Sequence, residues 1–580
     1  MLTRGRVIGG VALVVVLGLA WVAWSGYQVQ RDLRDAEAAA QELRSALEAD
    51  DTAARDDAVD ALAEHAGSAR ARTDGPVWSA LTLLPVIGDD ADAVRVISES
   101  LDRVTRGGVE PLTGAIDDVQ GLLGDGRIDL QRVAALQQPM ASAEEAFTAA
   151  EQSLNVIDTD GLVGALQGPF ESLDSQVSEA AGALRGAAKA TQVLPTMLGQ
   201  DGARDYLLIF QNNAEVRATG GLPGSWARLH VEDGALELRE QGSWPDFPVR
   251  DTSPLPLTPG EIATYSEAIG QFFANPGFTP DFPRAAELWQ AHWDLKYPDI
   301  ELSGVLAIDP VALGYLLEAT GPVQVGDRAI TAENAVEELL SRPYLEIADP
   351  AQQDVFFEQA AATVFRAVVS DAAEPVPLVE GLARATDERR LLFAPFDPAV
   401  AEQLAGTLVL GEQPGDDGAI PHVDVGLSDL TASKMSYYLR YRLDVQAAEC
   451  LPDDRQRLRA TLTMRQSIDP ASAAELPPYV TGGGGAGGEP GAQLVAVRLY
   501  APFGGSIDAA MIDGEKLELT EVSEIDGRQV ATIVIELTSR DDLVLSADLS
   551  TGAGQDAAGQ SLVTPSVVPG SGDRTFASAC

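Results

Sequence analysis

The sequence predicts a multidomain α+β protein, and three patterns along its 580 residues predict this class. An uncharged apolar run near the N-terminus is followed by a long stretch rich in Ala, Asp, Glu, Leu and Arg. Short apolar strands then alternate with helical patterns, and the C-terminal part alternates apolar and polar residues with a period of two. We expect a transmembrane helix, an extracytoplasmic helical bundle or stalk, a central α/β layered domain and a C-terminal antiparallel β-sandwich.

The first predicted element is a membrane anchor in residues 1–26. Two arginines precede the uncharged residues 7–24, a run long enough to cross a bilayer when its flanks are included. Basic residues before this run place the N-terminus in the cytoplasm and the bulk of the chain outside. A cleaved signal peptide is the alternative, but the length of the run and the bulky Trp24 between small residues favour an uncleaved anchor.

Residues 27–195 are predicted to form a helical stalk or bundle. Apolar residues recur at helical spacing with charges between them, at Leu33, Ala36, Ala40, Leu43 and Leu47. About forty residues of helix leaving the membrane would reach roughly 60 Å. Residues 73–88 interrupt this pattern with Gly and Pro while staying apolar. They are either a buried connector between helices, which we prefer, or a connector that touches the membrane.

The central domain, residues 196–415, opens on the stretch that carries its predicted site. Tyr206–Phe210 is a continuous apolar run, typical of a strand buried on both faces of a mixed or parallel sheet. Polar residues and a glycine-rich loop follow, and glycine loops at strand ends often hold ligands because the backbone approaches them closely. A tight polar turn between two strands is the alternative. The candidate ligand-binding residues in this stretch are Asn212, Asn213, Arg217, Thr219, Gly220 and Gly221.

Further along this domain, Asp281 and Arg284 flank a proline at the start of a predicted helix. Asp281 is either the cap of that helix or a side chain that faces a ligand or metal. Gly304–Asp309 is a second short strand, and a helix follows it from Pro310. The alternation of strand and helix then continues, which favours a layered α/β domain.

Residues 416–432 are interpreted as a linker and residues 433–580 as the β-sandwich, with a glycine-rich loop at 481–491. Period-two alternation predicts strands at residues 437–445, 457–466, 493–500, 516–522 and 530–537. The two cysteines of the chain, Cys450 and Cys580, would most simply pair outside the cytosol.

The composition excludes some functions. A formal net charge of −48 argues against a nucleic-acid partner, because phosphates would be repelled. The four histidines have no neighbouring Cys or His at ligand spacing, which argues against a structural zinc site. Basic residues are 36 Arg and only four Lys, so an arginine alone is weak evidence of phosphate binding.

Four sequence blocks resemble a group of actinobacterial envelope proteins classified as domain of unknown function 4012. The blocks read LLIFQNNAEVRATGG, FTPDFPRAAEL, GVLAIDPVALGYLLEATGPV and KMSYYLRYRLDV. This resemblance implies an architecture and a location in the cell envelope, but no activity.

The order of a buried strand, an Arg-bearing loop, a second strand, a helix and a Gly-Pro-Val turn is also similar to the LytR–CpsA–Psr catalytic domain. That family transfers glycopolymers from polyprenyl pyrophosphate carriers onto peptidoglycan. The resemblance implies that Arg217 and Arg342, joined by Arg284, hold phosphates, and that Glu215 or Asp281 is a catalytic base or metal ligand. No cofactor is evident from the residues themselves, and Mg²⁺ is the cofactor that such a transferase would use.

Two hypotheses follow for the function. The first is attachment or handling of polyprenyl-pyrophosphate-linked glycopolymers at the cell wall. The second is a non-catalytic envelope scaffold or binding protein that recognises protein partners through the β-sandwich. Clustering of the three arginines around one cleft would favour the first, and their scatter into separate surface ion pairs would favour the second.

Overall fold

The computed structural model describes residues 26–580, except residues 48, 50, 85–86, 125, 371–372, 484–490, 539–541 and 571–573. The predicted membrane anchor at residues 7–24 lies outside the described residues. Within the described part, no helix is long and apolar enough to cross a membrane. The chain divides into two compact units, Met1–Gly121 with Gln131–Leu194, and Leu122–Leu130 with Pro195–Cys580.

The N-terminal unit is helical. Its elements are α1 (residues 26–47), α2 (Thr52–Thr73), α3 (Pro76–Leu81), α4 (Gly88–Val104), a π-helical turn (Thr105–Val109), α5 (Glu110–Gly114), α6 (Ile116–Gln120), α7 (Leu130–Leu154), a 3₁₀ turn (Thr159–Gly161) and α8 (Gly164–Met197). A single helix of this kind would leave its apolar face exposed to water, so the helices pack side by side.

The predicted helix of about forty residues running outward from about residue 28 is wrong. The helix ends at residue 47, and α2 folds back along it. Leu43 packs with Ala58 near one end of the pair, and Arg72 donates to Asp32 at 2.6 Å near the other end. The two helices are therefore antiparallel, because a hairpin buries apolar residues that a single rod would expose.

The connector at residues 73–88, which was predicted to be buried between helices, is only partly buried. Trp78 is buried and its indole N–H donates to the Ala91 carbonyl at 2.8 Å. Leu83, Leu84 and Ile87 are exposed. The preferred prediction of burial is thus wrong for these three residues.

A seven-stranded mixed sheet forms the centre of the second unit, in the order β1-β2-β5-β4-β3-β6-β9. The first nine strands are β1 (Leu123–Gly124), β2 (Arg127–Ile128), β3 (Arg204–Arg217), β4 (Gly220–Glu232), β5 (Ala235–Ser243), β6 (Gly304–Ile308), β7 (Val323–Val325), β8 (Arg328–Ile330) and β9 (Leu391–Pro395). Strands β7 and β8 form a separate two-stranded sheet.

Strand β3 lies inside the central sheet, as its apolar run predicts. It pairs antiparallel with β4 and parallel with β6. Leu207 and Ile209 pack on one face with Trp289 of the helix that follows the FTPDFPR segment. Leu208 packs on the other face with Leu316. Helices therefore cover both faces, which makes this a layered α/β region.

The helices of this unit, apart from single 3₁₀ turns, lie mostly between these strands. They are α9 (Pro259–Tyr265), α10 (Ala268–Gln271), α11 (Phe282–Lys296), α12 (Pro310–Thr320), α13 (Ala335–Leu340), α14 (Arg342–Glu346), α15 (Pro350–Val368), α16 (Pro375–Asp387), α17 (Pro398–Leu404), α18 (Pro470–Glu475) and α19 (Pro478–Thr481). Asp309 caps α12 by accepting from the Ala312 N–H at 2.8 Å.

Two further sheets form the C-terminal region. Their strands are β10 (His422–Asp429), β11 (Leu439–Leu451), β12 (Arg455–Gln466), β13 (Gln493–Tyr500), β14 (Ser506–Ile512), β15 (Glu515–Leu517), β16 (Val522–Ile525), β17 (Arg528–Leu537), β18 (Leu543–Ser550), β19 (Gly559–Val563) and β20 (Thr575–Phe576). One sheet has the order β16-β17-β13-β10-β19-β20 and the other the order β11-β12-β18-β14-β15. A shared apolar core includes Val425 and Leu462 from the two sheets.

The prediction of a linker at residues 416–432 is wrong for the residues that form β10. Every residue of β10 is buried, and the strand pairs antiparallel with β13 and parallel with β19. The sandwich is therefore not purely antiparallel. The polar residues of this strand made it resemble a loop in the sequence. One of them, Asp424, accepts a hydrogen bond from Arg528 Nη1 at 2.5 Å in the core, and this contact neutralises its charge.

The end of the chain is tied back to the sandwich. A disulfide joins Cys450 in β11 to Cys580, with their sulfur atoms 2.17 Å apart. Strand β19 lies beside β10, and β20 pairs with β19. The residues after position 551 thus contribute two strands to a core sheet.

Candidate functional site

A wide bulge in β3 builds the candidate site. Asn212 lies opposite Leu222 of β4, and Val216 lies opposite the adjacent Gly221, so three residues between them have no partner on β4. A Cβ atom at position 221 would overlap the backbone of Asn212, so only glycine allows the two strands to approach so closely here. Bulges of this kind turn side chains away from the regular pleat.

The bulge replaces the predicted glycine-rich loop, and that prediction is wrong. Strand β3 continues beyond Phe210 to Arg217, and Gly220 and Gly221 already belong to β4. Only two residues separate the strands, which matches the alternative of a tight turn. The loop was expected because glycines usually mark loops, whereas here they permit close contact between two strands.

The bulge directs four polar side chains, Asn212, Asn213, Glu215 and Arg217, and we call them the bulge cluster. The Asn212 amide donates to the Tyr344 hydroxyl. The Asn213 amide donates to Asp309 Oδ2 at 2.9 Å. These contacts join β3 to the helices α14 and α12.

Glu215 is the centre of a buried ion triad. Its Oε2 accepts from the Lys434 ammonium at 2.6 Å, and its Oε1 accepts from Arg217 Nη2 at 3.0 Å. Burial alone would raise the pKa of Glu215, but the two cations outweigh it and hold this pKa below its ordinary value. Burial would lower the pKa of Lys434, but Glu215 outweighs it and raises that pKa instead. Both groups are therefore charged at neutral pH.

Both terminal nitrogens of Arg217, Nη1 and Nη2, are engaged with the protein. Its Nη1 donates to the carbonyls of Val216 and Asp429 at 3.0 and 3.3 Å. Its guanidinium lies 4.9 Å from the centre of the Phe278 ring. The guanidinium therefore links β3 to β10, and its hydrogen bonds go to backbone and to Glu215.

A second buried chain of charges continues from Asn213. Asp309 also accepts from Arg390 Nη1 at 2.8 Å, and Arg390 Nε donates to Glu388 at 2.6 Å. Arg390 Nη1 and Nη2 further donate to the carbonyls of Ser566 and Val568, each at 2.7 Å. The end of the chain thus completes the hydrogen bonds of a guanidinium in the central region.

The other predicted phosphate-binding arginines lie elsewhere. Arg284 Nε donates to Glu261 at 2.6 Å. Arg342 Nη1 donates to Glu338 at 2.8 Å. Neither Arg284 nor Arg342 pairs with Glu215, the carboxylate that Arg217 contacts. Each of the three arginines is thus paired with its own carboxylate, and the three side chains form separate ion pairs.

Asp281, the other predicted catalytic residue, is also separate from the cluster. It lies at the N-cap position of α11, but its side chain makes no cap hydrogen bond and instead accepts from the Gln413 N–H at 3.1 Å. Burial raises its pKa to about 6. No cation pairs with this carboxylate among the described residues.

Three polar atoms near the bulge lack a hydrogen bond within the described part of the chain. They are Asn213 Oδ1, Arg217 Nε and Thr219 Oγ1, and all three side chains are buried. Buried polar atoms normally find a partner, and ordered water is the usual one where protein atoms are missing.

A small cavity of about 90 Å³ adjoins the cluster. Asn212, Tyr344 and Lys434 line its polar side, and Leu313 and Phe357 are among its apolar lining. Pockets that enclose drug-sized ligands measure about 300 to 1,000 Å³. In this conformation the cavity therefore takes only a small group.

The described residues offer no group of three or more His, Cys, Asp or Glu side chains that could hold a metal ion. Glu215 is surrounded by cations and Asp281 is isolated from other predicted ligands. The side chains that the transferase resemblance assigns to Mg²⁺ therefore do not fit a common metal site.

Sequence reasoning missed three members of this network, namely Lys434, Asp309 and Arg390. One feature of the sequence could have drawn attention to Lys434, namely that lysine is rare in this chain. Asp309 could be recognised only as a helix cap, and Arg390 lies in an ordinary charged segment. Their contacts are long-range, and periodicity gives no information about such contacts.

The described part of the chain is an α+β protein in which a polar cluster ties a mixed central sheet to a C-terminal two-sheet region. Residues 201–344 match the model of a family described as Protein of unknown function (DUF4012). This confirms the first resemblance, whereas the one to the LytR–CpsA–Psr family stays a prediction. No curated protein and no solved structure matches the chain.

Proposed function

We propose that the chain is a membrane-anchored, extracytoplasmic protein of the actinobacterial cell envelope that acts as a non-catalytic scaffold or binding protein. One observation carries this proposal. The side chains predicted for catalysis and phosphate binding at β3 neutralise one another in the buried triad of Glu215, Lys434 and Arg217.

The charges of this triad argue against acid–base and phosphate chemistry at the site. A general base works best when its pKa lies near the operating pH. The pKa of Glu215 is instead lowered, and its two oxygens already accept hydrogen bonds from cations. Arg217 would have to leave Glu215 Oε1 buried without its hydrogen bond before it could bind a phosphate, which costs about 1 to 3 kcal/mol.

The disulfide supports the location. Disulfides persist in oxidising compartments and are rare in the cytosol of ordinary bacteria. Cys450 and Cys580 form such a bond. Together with the predicted anchor at residues 7–24, this favours a chain whose bulk lies outside the cell membrane. The C-terminal sandwich is then the part that recognises protein partners or the wall.

Handling of a polyprenyl-linked glycan is a second candidate, and the cavity beside the bulge favours it. The half-exposed Tyr479 is one of its lining residues, beside Tyr344 and Lys434. Movement of this ring would widen the cavity toward solvent. Aromatic faces together with Asn212 and a lysine would then meet the polar head of such a ligand.

The test uses the full chain in detergent with a short-chain polyprenyl-pyrophosphate disaccharide, with and without Mg²⁺, and peptidoglycan fragments as acceptor. We expect no transfer and no release of polyprenyl phosphate. Transfer that is abolished in Asp281→Asn would contradict the scaffold proposal. The unfolding temperature of the same samples reports binding.

Two variants separate the candidates. A thermal shift in the wild-type chain that disappears in Tyr479→Ala would support glycan handling at the cavity. Arg342→Gln is the matched control, because Arg342 is also half exposed but lies outside the lining of this cavity. If no protein shifts, the scaffold proposal stands.

A further inference from the structure

The exposed apolar side chains of the N-terminal unit are concentrated at one end of its helices. Seven large apolar side chains are exposed in the described part of this unit, and Leu47 lies at the far end of α1. We call the other six the apolar end, and they are Tyr27, Leu83, Leu84, Ile87, Val156 and Val163.

Packing brings the three segments of the apolar end together. Val29, in the first turn of α1, packs with Trp78 and Ala91 on either side of the connector between α3 and α4. The Val163 N–H donates to Asp90 at 2.9 Å, which holds the connector between α7 and α8 against the start of α4. The start of α1 and both connectors are therefore neighbours.

The degree of exposure is unusual for apolar residues. Leu83 is 83% exposed and Val156 is 82% exposed. Scattered exposed apolar residues need no explanation, but a contiguous group at one end of a domain marks an interaction surface. Residues 74–87 and 155–163 contain no Lys or Arg. An acidic or nucleic-acid partner would have no cation to meet there.

The position of the apolar end along the chain identifies its partner. The predicted membrane span ends at Trp24, and Val29 follows five residues later, so at most about 17 Å of chain separates them. The apolar end therefore lies where the chain would leave the bilayer. Tyr27 suits this position because tyrosines are enriched at membrane interfaces, and the absence of Lys and Arg suits the outer side of a membrane.

We propose that the apolar end rests in the outer leaflet of the bilayer, so that the helical unit contacts lipid at α1 and at both connectors. Three neighbouring contacts would fix the orientation of this unit on the membrane, whereas a single helix would leave it free to swing. This inference rests on the predicted anchor, which is part of the proposed function.

The test places a fluorescent label at single positions of the full chain in phosphatidylcholine vesicles. Both native cysteines are paired, so an environment-sensitive probe can be attached selectively to Leu83→Cys, Val156→Cys or Leu47→Cys. Leu47 is the matched control, since it is 46% exposed but lies at the opposite end of α1. We expect a blue shift, and quenching by shallow nitroxide lipids, for the first two labels only.

Flotation of the vesicles separates failure of this inference from failure of the anchor. If the protein floats but the labels at 83 and 156 are quenched no more than the label at 47, the inference is overturned while the anchor stands. Labels shielded from aqueous iodide but not quenched by lipid would reveal a protein cover instead, which also overturns it. If the protein does not float, the anchor fails and this inference fails with it.

Discussion

Lys434 shows how a single side chain decides the chemistry of the candidate site. Its ammonium group is buried and pairs with Glu215, whose other oxygen pairs with Arg217. The three groups carry one net positive charge, and all three residues are buried. A buried ion pair adds little net stability, but removing one partner leaves an uncompensated charge. Replacing Glu215 would therefore leave two buried cations without a counter-charge, whereas replacing either cation would leave a neutral pair with one unpaired carboxylate oxygen.

Lys434→Met is expected to destabilise the second unit by about 1 to 3 kcal/mol, because Glu215 Oε2 would stay buried without its hydrogen-bond donor. Urea unfolding followed by tryptophan fluorescence measures this loss. Arg342→Met is the control, and its loss should be much smaller, because Arg342 is half exposed and Glu338 also pairs with Arg328. Equal losses in the two variants would contradict the assignment of the triad.

Asp281 is expected to make stability depend on pH. Burial raises its pKa from 3.8 in the unfolded chain to about 6 in the folded chain, so ionisation is disfavoured in the folded state. Its contribution is full below pH 3.8 and is lost as the pH rises through about 6. The loss above this window is about 2 to 3 kcal/mol.

Asp281→Asn tests the direction of this pH dependence, because the amide oxygen can still accept the hydrogen bond from the Gln413 N–H but carries no charge. The variant should gain stability over the wild type above pH about 6 and match it below pH 3.8. Chemical denaturation on both sides of that window checks this expectation. A difference that does not change with pH would refute the assigned pKa.

At the scale of elements, the bulge between β3 and β4 depends on one glycine. Gly221→Ala is expected to cost about 1 to 3 kcal/mol, because the new methyl group meets the backbone of Asn212, which cannot move as a side chain can. Gly224→Ala is the control, since its Cβ would lie 3.5 Å from the Asn212 Cβ, an ordinary contact. Thermal unfolding of both variants measures the difference, and equal effects would rule out this role for Gly221.

Elements with a clear period could be predicted from the sequence, and elements with mixed polarity could not. The apolar run of β3 and the alternation in β12, β13 and β17 predict strands close to the observed ones. Strand β10 was missed because its aspartates and glycine suggest a loop. Burial of Asp424 beside Arg528 depends on a partner about a hundred residues away, which no local pattern contains.

The candidate site shows the same limit. The polar cluster after the apolar run of β3 was recognised from its residue types, including Asn212, Glu215 and Arg217. The role of this cluster was not predicted, because the neighbours that decide it, Lys434 and Arg390, lie far away in the sequence. Arg342 was grouped with Arg217 through the second family resemblance, with Arg284 added to them, and each of the two instead pairs with its own glutamate.

At the scale of the whole molecule, the disulfide closes the C-terminal region over 130 residues. Cys580→Ser is expected to lower the free energy of unfolding by about 2 to 4 kcal/mol, because the unfolded chain gains freedom. Cys450→Ser and the double variant should lose the same amount, since one bond is lost in each. Thermal unfolding with and without a reducing agent checks this, and additive losses would argue against the pairing.

The reach of Arg390 to the carbonyls of Ser566 and Val568 has a consequence for biosynthesis. A chain synthesised from its N-terminus delivers these acceptors 176 residues or more after Arg390, so until then the central sheet would have to bury a guanidinium without two of its acceptors. We expect chains truncated before residue 566 to be less stable in the central sheet and more readily cleaved there by proteases. Synthesis of residues 566–568 would then protect the central sheet from degradation.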